Sequence, residues 1–180
     1  AAKSNKKDKS IIKVRNLTHV YRSQPPVKAL DNISVDIYEG EMVGLIGQNG
    51  SGKSTLSLHL VGIRKPTNAE AEIEVDGVNI LDKKLDIADI ISHINYVYQN
   101  PDDMLFNETV EKELEYGLRQ TKVPSEKMEE ALDYALGIFE IEKYRKSVIA
   151  NLPLNLRTYT AVASIVALRP KILIIDEPTT

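Results

Sequence analysis

Cysteine is absent from all 180 residues, which excludes a disulfide scaffold and any thiolate metal site and fits a reducing compartment. No apolar run approaches the roughly 18 residues that would span a bilayer, and the opening residues carry no secretory-signal pattern. Excess positive charge is also missing, since 23 Lys and Arg stand against 26 Asp and Glu. That balance argues against wholesale binding to nucleic-acid phosphates. Hydrophobic residues make up 42% of the chain, enough to bury a sizeable core as one ordinary domain without covalent staples.

Residues 1–10 carry Lys3, Lys6, Lys7 and Lys9 against Asp8, with no apolar residue larger than alanine. They predict a basic flexible tail or linker, because such a stretch cannot offset its ordering entropy. Residues 11–21 are rich in β-branched side chains, and Ile33, Val35 and Ile37 alternate with Ser34, Asp36 and Tyr38. Both patterns predict half-buried strands, with Pro25-Pro26 in the loop between them. The continuous apolar run of residues 42–46 predicts a strand buried on both faces. Residues 53–61 read as a helix closing near Gly62, residues 71–80 as a hairpin turning at Asp76-Gly77, and residues 94–98 as a short strand. From 109 to about 144 the chain is charged and helical, with Ser125 as a cap for the face formed by Met128, Ala131, Leu132, Ala135, Leu136 and Phe139. Tyr159, Val162, Ala163, Val166 and Ala167 mark a further helix face, and residues 171–176 a buried strand ending in acid. The pattern predicts an α/β fold: a mainly parallel core, a β-rich N-terminal part and an inserted helical subdomain.

The chemistry centres on Gly47-Gln48-Asn49-Gly50-Ser51-Gly52-Lys53-Ser54-Thr55, which satisfies the phosphate-loop pattern between an apolar run and a helix. Glycines let backbone N–H groups approach phosphate oxygens, and a helix N-terminus adds a dipole that favours anions. Lys53 is placed to reach the β- and γ-phosphates of a nucleotide, and the Ser54 hydroxyl to ligate Mg²⁺. The second half of such a site is an acid at a strand end. Asp176 fits as the carboxylate that holds Mg²⁺, and Glu177 as the group that orients or deprotonates an attacking water.

Together these residues resemble the ATP-binding cassette (ABC) ATPases, over residues 11–180. The resemblance implies a P-loop NTPase fold with residues 100–156 as the helical subdomain, and it implies ATP and Mg²⁺ as cofactors. Residues 171–179 look like the family's Walker B strand with its catalytic glutamate. The phosphate loop, from Gly47 through Asn49, Gly50, Ser51, Gly52, Lys53 and Ser54 to Thr55, is then the ATP-binding segment. Tyr21 lies where the family places an aromatic that stacks on adenine. Gln99, in Tyr98-Gln99-Asn100-Pro101, resembles the Q-loop glutamine, which contacts Mg²⁺ and the water site and is followed by a segment that meets the membrane partner. The run from Gln99 to Phe106, followed by Thr109-Val110-Glu111, resembles more narrowly the ATPases of energy-coupling factor importers of vitamins, cobalt or nickel.

One segment departs from the family. Where the Leu-Ser-Gly-Gly-Gln signature belongs, the chain has Leu152-Pro153-Leu154-Asn155-Leu156. Pro153 removes a hydroxyl and an N–H, and two side chains replace glycines that let the phosphate approach. A homodimer would then hold two defective sites. The resemblance therefore implies a heterodimer or tandem pair, with a partner ATPase whose signature is intact. It further implies a transmembrane subunit docked near the Q-loop, a peripheral position on the cytoplasmic face of the membrane, and no nucleic-acid partner. His19, His59 and His93 all precede Gln99, so none is the family's switch histidine; strand edge, helix face and loop are their expected settings. The chain reads as incomplete at its C-terminus, gripping ATP better than it hydrolyses it. A regulatory or clamp ATPase acting on DNA or ribosomes stays open as a second reading. An adenylate-kinase-like enzyme is a third, but the chain lacks an arginine-rich lid.

Overall fold

The computed structural model describes residues 9–176, so Glu177 and most of the expected tail lie outside the described residues. The chain divides into two compact units, with Leu85 closing the first and Asp86 opening the second.

In the first unit, β1 (Ser10–Tyr21) pairs antiparallel with β2 (Val27–Tyr38) on one side and with β3 (Glu72–Val75) on the other. β3 turns at Asp76-Gly77 into β4 (Val78–Asn79), giving the sheet order β2-β1-β3-β4. Both turn residues have positive φ, 50° and 81°, as a tight two-residue hairpin requires. Ile12 and Val14 are buried at period two, but the next buried residues are Leu17 and His19. The phase changes where the ladder slips between Val14 and Leu17, with Asn16 at φ 52°. The Asn68 side chain bridges this bulge, accepting from the Thr18 N–H at 3.0 Å and donating to the Asn16 carbonyl at 2.8 Å. Helix α1 (Lys53–Leu60) buries Leu60 and His59 and ends at Val61, ahead of Gly62 at φ 75°.

The apolar run of residues 42–46, expected as a doubly buried strand, is instead irregular and exposed, with Met42 and Ile46 almost bare. A central strand needs ladder partners, and no described strand pairs with this run.

The second unit opens with α2 (Ile87–His93), a helix the sequence pattern did not predict. A capping box starts it, in which the Asp86 N–H donates to the Asp89 carboxylate at 3.2 Å. It feeds directly into β5 (Ile94–Val97), which pairs in parallel with β6 (Ile172–Ile175). All four β5 residues are buried. β6, expected as a buried strand, leaves Leu173 and Ile175 exposed, since among the described strands only β5 lies beside it.

Between these strands in the chain come α3 (Val110–Gln120), α4 (Ser125–Ile138) and α5 (Leu154–Val166). Val110, Leu114 and Leu118 recur every four residues and meet Leu132, Leu136 and Ala163 in one core. The Thr109 hydroxyl caps α3 by accepting from the Lys112 N–H at 3.4 Å. Ser125, expected to cap α4, is its first helical residue behind Pro124 and makes no side-chain cap. Pro124 at ψ 139° already supplies the extended residue that precedes the helix, so Ser125 is drawn inside it. Arg145 ties the two helices, donating to Glu111 of α3 at 2.7 Å and to Glu129 and Asp133 of α4 at 2.7 and 3.2 Å. Among the described residues, no helix is long and apolar enough to cross a membrane.

Candidate functional site

In the first unit, the phosphate loop joins the exposed run to α1. Gly52 directly precedes the helix at φ 93°, a conformation that L side chains rarely adopt. A Cβ there would lie 2.4 Å from the Ala29 carbonyl oxygen of β2, so both backbone and neighbour require glycine. Inside the loop the Ser51 N–H donates to the Gln48 carbonyl at 3.1 Å. A Cβ on Gly47 would lie 2.5 Å from the Ser51 hydroxyl oxygen, so the close approach of Ser51 across the loop leaves no room for a side chain there. No acidic residue stands in the first turn of α1, so no side chain of that turn offsets the positive end of its dipole. The Lys53 ammonium folds back over the loop, donating to the carbonyls of Gly47 and Gln48 at 2.9 and 3.1 Å. Asn49 and Ser54 are exposed, whereas Thr55 is buried. A glycine cradle with one cation and an open helix start has the chemistry of a polyphosphate site.

The fold brings Tyr21 to this loop from the far end of β1. Its hydroxyl and that of Thr55 are hydrogen-bonded at 2.9 Å. The Arg64 guanidinium lies 4.9 Å from the tyrosine ring centroid, and the His19 ring meets it edge-on at 4.7 Å. Behind them, His59 is fully buried in α1, its Nδ1 2.7 Å from the Thr55 carbonyl, with the His19 ring 4.7 Å away. Burial pushes the His59 pKa down, and the nearby His19 and Arg64 charges add to the effect. The histidine sits in the interior, where a neutral ring is the stable form.

In the second unit, the parallel register places Val97 opposite Ile175. Asp176 therefore emerges beside Tyr98 at the carboxyl ends of neighbouring strands, with Gln99 the next residue along the chain, at the usual address of ligands in open α/β sheets. The Asp176 N–H continues the ladder by donating to the Val97 carbonyl at 3.1 Å. The Asp176 carboxylate accepts a hydrogen bond from the Tyr96 hydroxyl at 2.5 Å. Gln99 is exposed, and the chain beyond it turns tightly at residues 101–103, where the Asn100 side chain accepts from the Asp102 N–H at 3.2 Å. Glu177 lies outside the described residues.

The departing segment starts α5. Pro153 is its N-cap at φ −64° and ψ 158°, without a side-chain cap, and Leu154 is exposed at the helix start. The Pro153 carbonyl accepts from the N–H groups of Leu156 and Arg157 at 3.0 and 3.1 Å. The end is built as a helix N-terminus, but presents leucine where the resembling family has a hydroxyl and glycines.

Three side chains at these places escaped the sequence reading. Tyr96 lies within the expected strand of residues 94–98 and Arg64 just beyond the expected helix, and no sequence pattern singled out either. Glu113, in the stretch read only as charged and helical, is buried and accepts from the N–H groups of Phe106 and Asn107 at 3.0 and 2.8 Å. His93, expected in a loop, is the last residue of α2.

Comparison with known proteins agrees with the fold. The profile of the family described as ABC transporter matches residues 30–180. The energy-coupling factor transporter ATP-binding protein EcfA2 of Clostridium perfringens is 40% identical over 172 residues, covering 93% of this chain and 60% of the relative. The structure of cbiO1 from Clostridium perfringens, described as part of the ABC transporter complex cbiONQ, superposes with a TM-score of 0.80 at 32% identity. That match covers 96% of this chain and 67% of the other. A dimeric ATP-binding cassette bound to ADP and phosphate superposes with a TM-score of 0.79 at 26% identity, covering 93% and 74%. The chain spans 60% and 59% of the length of two energy-coupling factor relatives and 34% and 31% of two longer ATP-binding proteins it also matches.

Proposed function

Because the chain belongs to the ABC transporter family, matched over residues 30–180, we propose that it is the ATP-binding and ATP-hydrolysing part of a membrane importer of the energy-coupling factor type. The observation that carries this reading is the glycine-lined loop before α1, closed to any Cβ at Gly52 and holding Lys53 across its rim. The 40% identity to an energy-coupling factor ATP-binding protein supports the subfamily. The chain reaches its membrane through a transmembrane partner docked beside the segment after Gln99, and so lies peripherally on the cytoplasmic face.

Lys53 and the loop N–H groups of Gly47, Asn49, Gly50, Ser51, Gly52, Ser54 and Thr55 hold the phosphates of ATP. Tyr21, already fixed by Thr55 and Arg64, offers its remaining face to adenine. Ser54, Gln99 and Asp176 are the residues assigned to Mg²⁺, and their hydroxyl, amide and carboxylate oxygens suit that hard cation. Bound Mg²⁺ supplies charge neutralisation for the phosphates. Glu177 orients the attacking water and takes its proton, and Gln99 positions the same water.

Pro153, Leu154 and Asn155 make the signature segment a poor cover for the γ-phosphate of an opposing subunit. The working assembly is therefore a heterodimer or tandem pair, in which a partner's intact signature completes the site on this chain.

The test mixes this protein with its partner ATPase and measures hydrolysis with Glu177→Gln in this chain. Loss of the base lowers turnover at that site by about a hundredfold or more, so most activity disappears. Unchanged hydrolysis would place the working site on the partner and overturn the assignment.

A further inference from the structure

We infer that Tyr96 is a positioning residue for the carboxylate of Asp176, and through it for the divalent ion; this inference rests on the reading of Asp176 as a Mg²⁺ residue. The two side chains stand 80 positions apart in sequence and meet only because β5 and β6 pair in parallel with Tyr96 opposite Ile174. Tyr96 is 6% exposed, and its ring meets that of Tyr98 edge-on at 4.7 Å. The ring therefore has little freedom, and its hydroxyl is delivered to the end of β6 at a fixed height.

A phenol hydroxyl donating to a carboxylate makes a charge-assisted bond, roughly twice as strong as a neutral one. It restricts the carboxylate to one orientation before any ion arrives. Ordering a ligand in advance lowers the cost of binding, and outer partners of metal-holding carboxylates act in this way. The same ring borders Tyr98, whose chain neighbour is Gln99. Tyr96 thus touches both the acid and the residue preceding the glutamine assigned to the ion.

Tyr96→Phe removes the hydroxyl and keeps the ring, so the packing against Tyr98 survives. The experiment uses the whole protein in a Glu177→Gln background and Mn²⁺ as a spectroscopic probe, with ATP present, read by electron paramagnetic resonance. Tyr96→Phe is expected to weaken Mn²⁺ binding by about tenfold, leaving ATP affinity in EDTA unchanged. Asp176→Asn serves as the reference. If Asp176→Asn weakens Mn²⁺ binding and Tyr96→Phe does not, the inference fails and the reading of Asp176 stands. If neither variant changes Mn²⁺ affinity, the reading of Asp176 itself fails. If Tyr96→Phe weakens metal-free ATP binding as much as Mn²⁺ binding, the side chain is merely structural and the inference is overturned.

Discussion

His59 shows how much a single side chain near the phosphate loop is constrained. It is wholly buried, its Nδ1 lies 2.7 Å from the Thr55 carbonyl, and Arg64 and His19 both oppose a charge on the ring. Its pKa in the fold is therefore below the value of about 6.5 expected in the unfolded chain. Between those two values the unfolded chain binds more protons, so stability is complete above about pH 6.5 and declines as pH falls toward the folded pKa. The slope cannot exceed about 1.4 kcal/mol per pH unit for one proton. Urea midpoints measured from about pH 7 down to about pH 5 should fall in the native protein and flatten in His59→Gln. An unchanged slope in the variant would assign the titration to another group.

Among the elements, α3 depends on a carboxylate that composition alone would put in solvent. Glu113 is 4% exposed, and one of its oxygens accepts from two backbone N–H groups and from the Asn107 amide at 3.2 Å. Its place in the first turn also suits the helix dipole. Glu113→Ala leaves those donors without their acceptor and should cost about 2–3 kcal/mol in urea unfolding, with faster proteolysis around residues 105–108. A variant as stable as the parent would show that water replaces the carboxylate at no cost. The α4 face itself was legible, because Ala131, Leu132, Ala135 and Leu136 fall at a local period that any packing partner would use. The cap of α4 and the existence of α2 were not. The first turned on the ψ of Pro124, the second on a capping box of two aspartates around a weakly amphipathic stretch.

For the molecule as a whole, the α5 start is the feature on which the proposed asymmetric pair rests. A helix N-terminus that begins Pro153-Leu154 still points its dipole outward, but without the hydroxyl and bare backbone that bring a phosphate close. Replacing Pro153, Leu154, Asn155 and Leu156 with Ser, Gly, Gly and Gln should restore that approach. In a pair whose own chain carries Glu177→Gln, hydrolysis at the partner's phosphate loop should rise at least about tenfold. No rise would mean that the opposing site is limited elsewhere, and would overturn the asymmetric pair.

The phosphate loop, the acid at a strand end and the departing signature were readable in the sequence because each is a contiguous run whose chemistry depends on its own backbone. Glycines before a lysine and a helix state their purpose within nine residues. Other facts depended on pairing between distant segments. The meeting of Tyr96 with Asp176 follows from a parallel ladder, that of Tyr21 with Thr55 from the length of β1, and the strict need for Gly52 from the Ala29 carbonyl above it. The apolar run of residues 42–46 makes the same point in reverse. Its hydrophobicity marked a candidate strand, but a strand exists only when another backbone answers its N–H and C=O groups, and no local pattern encodes which one does.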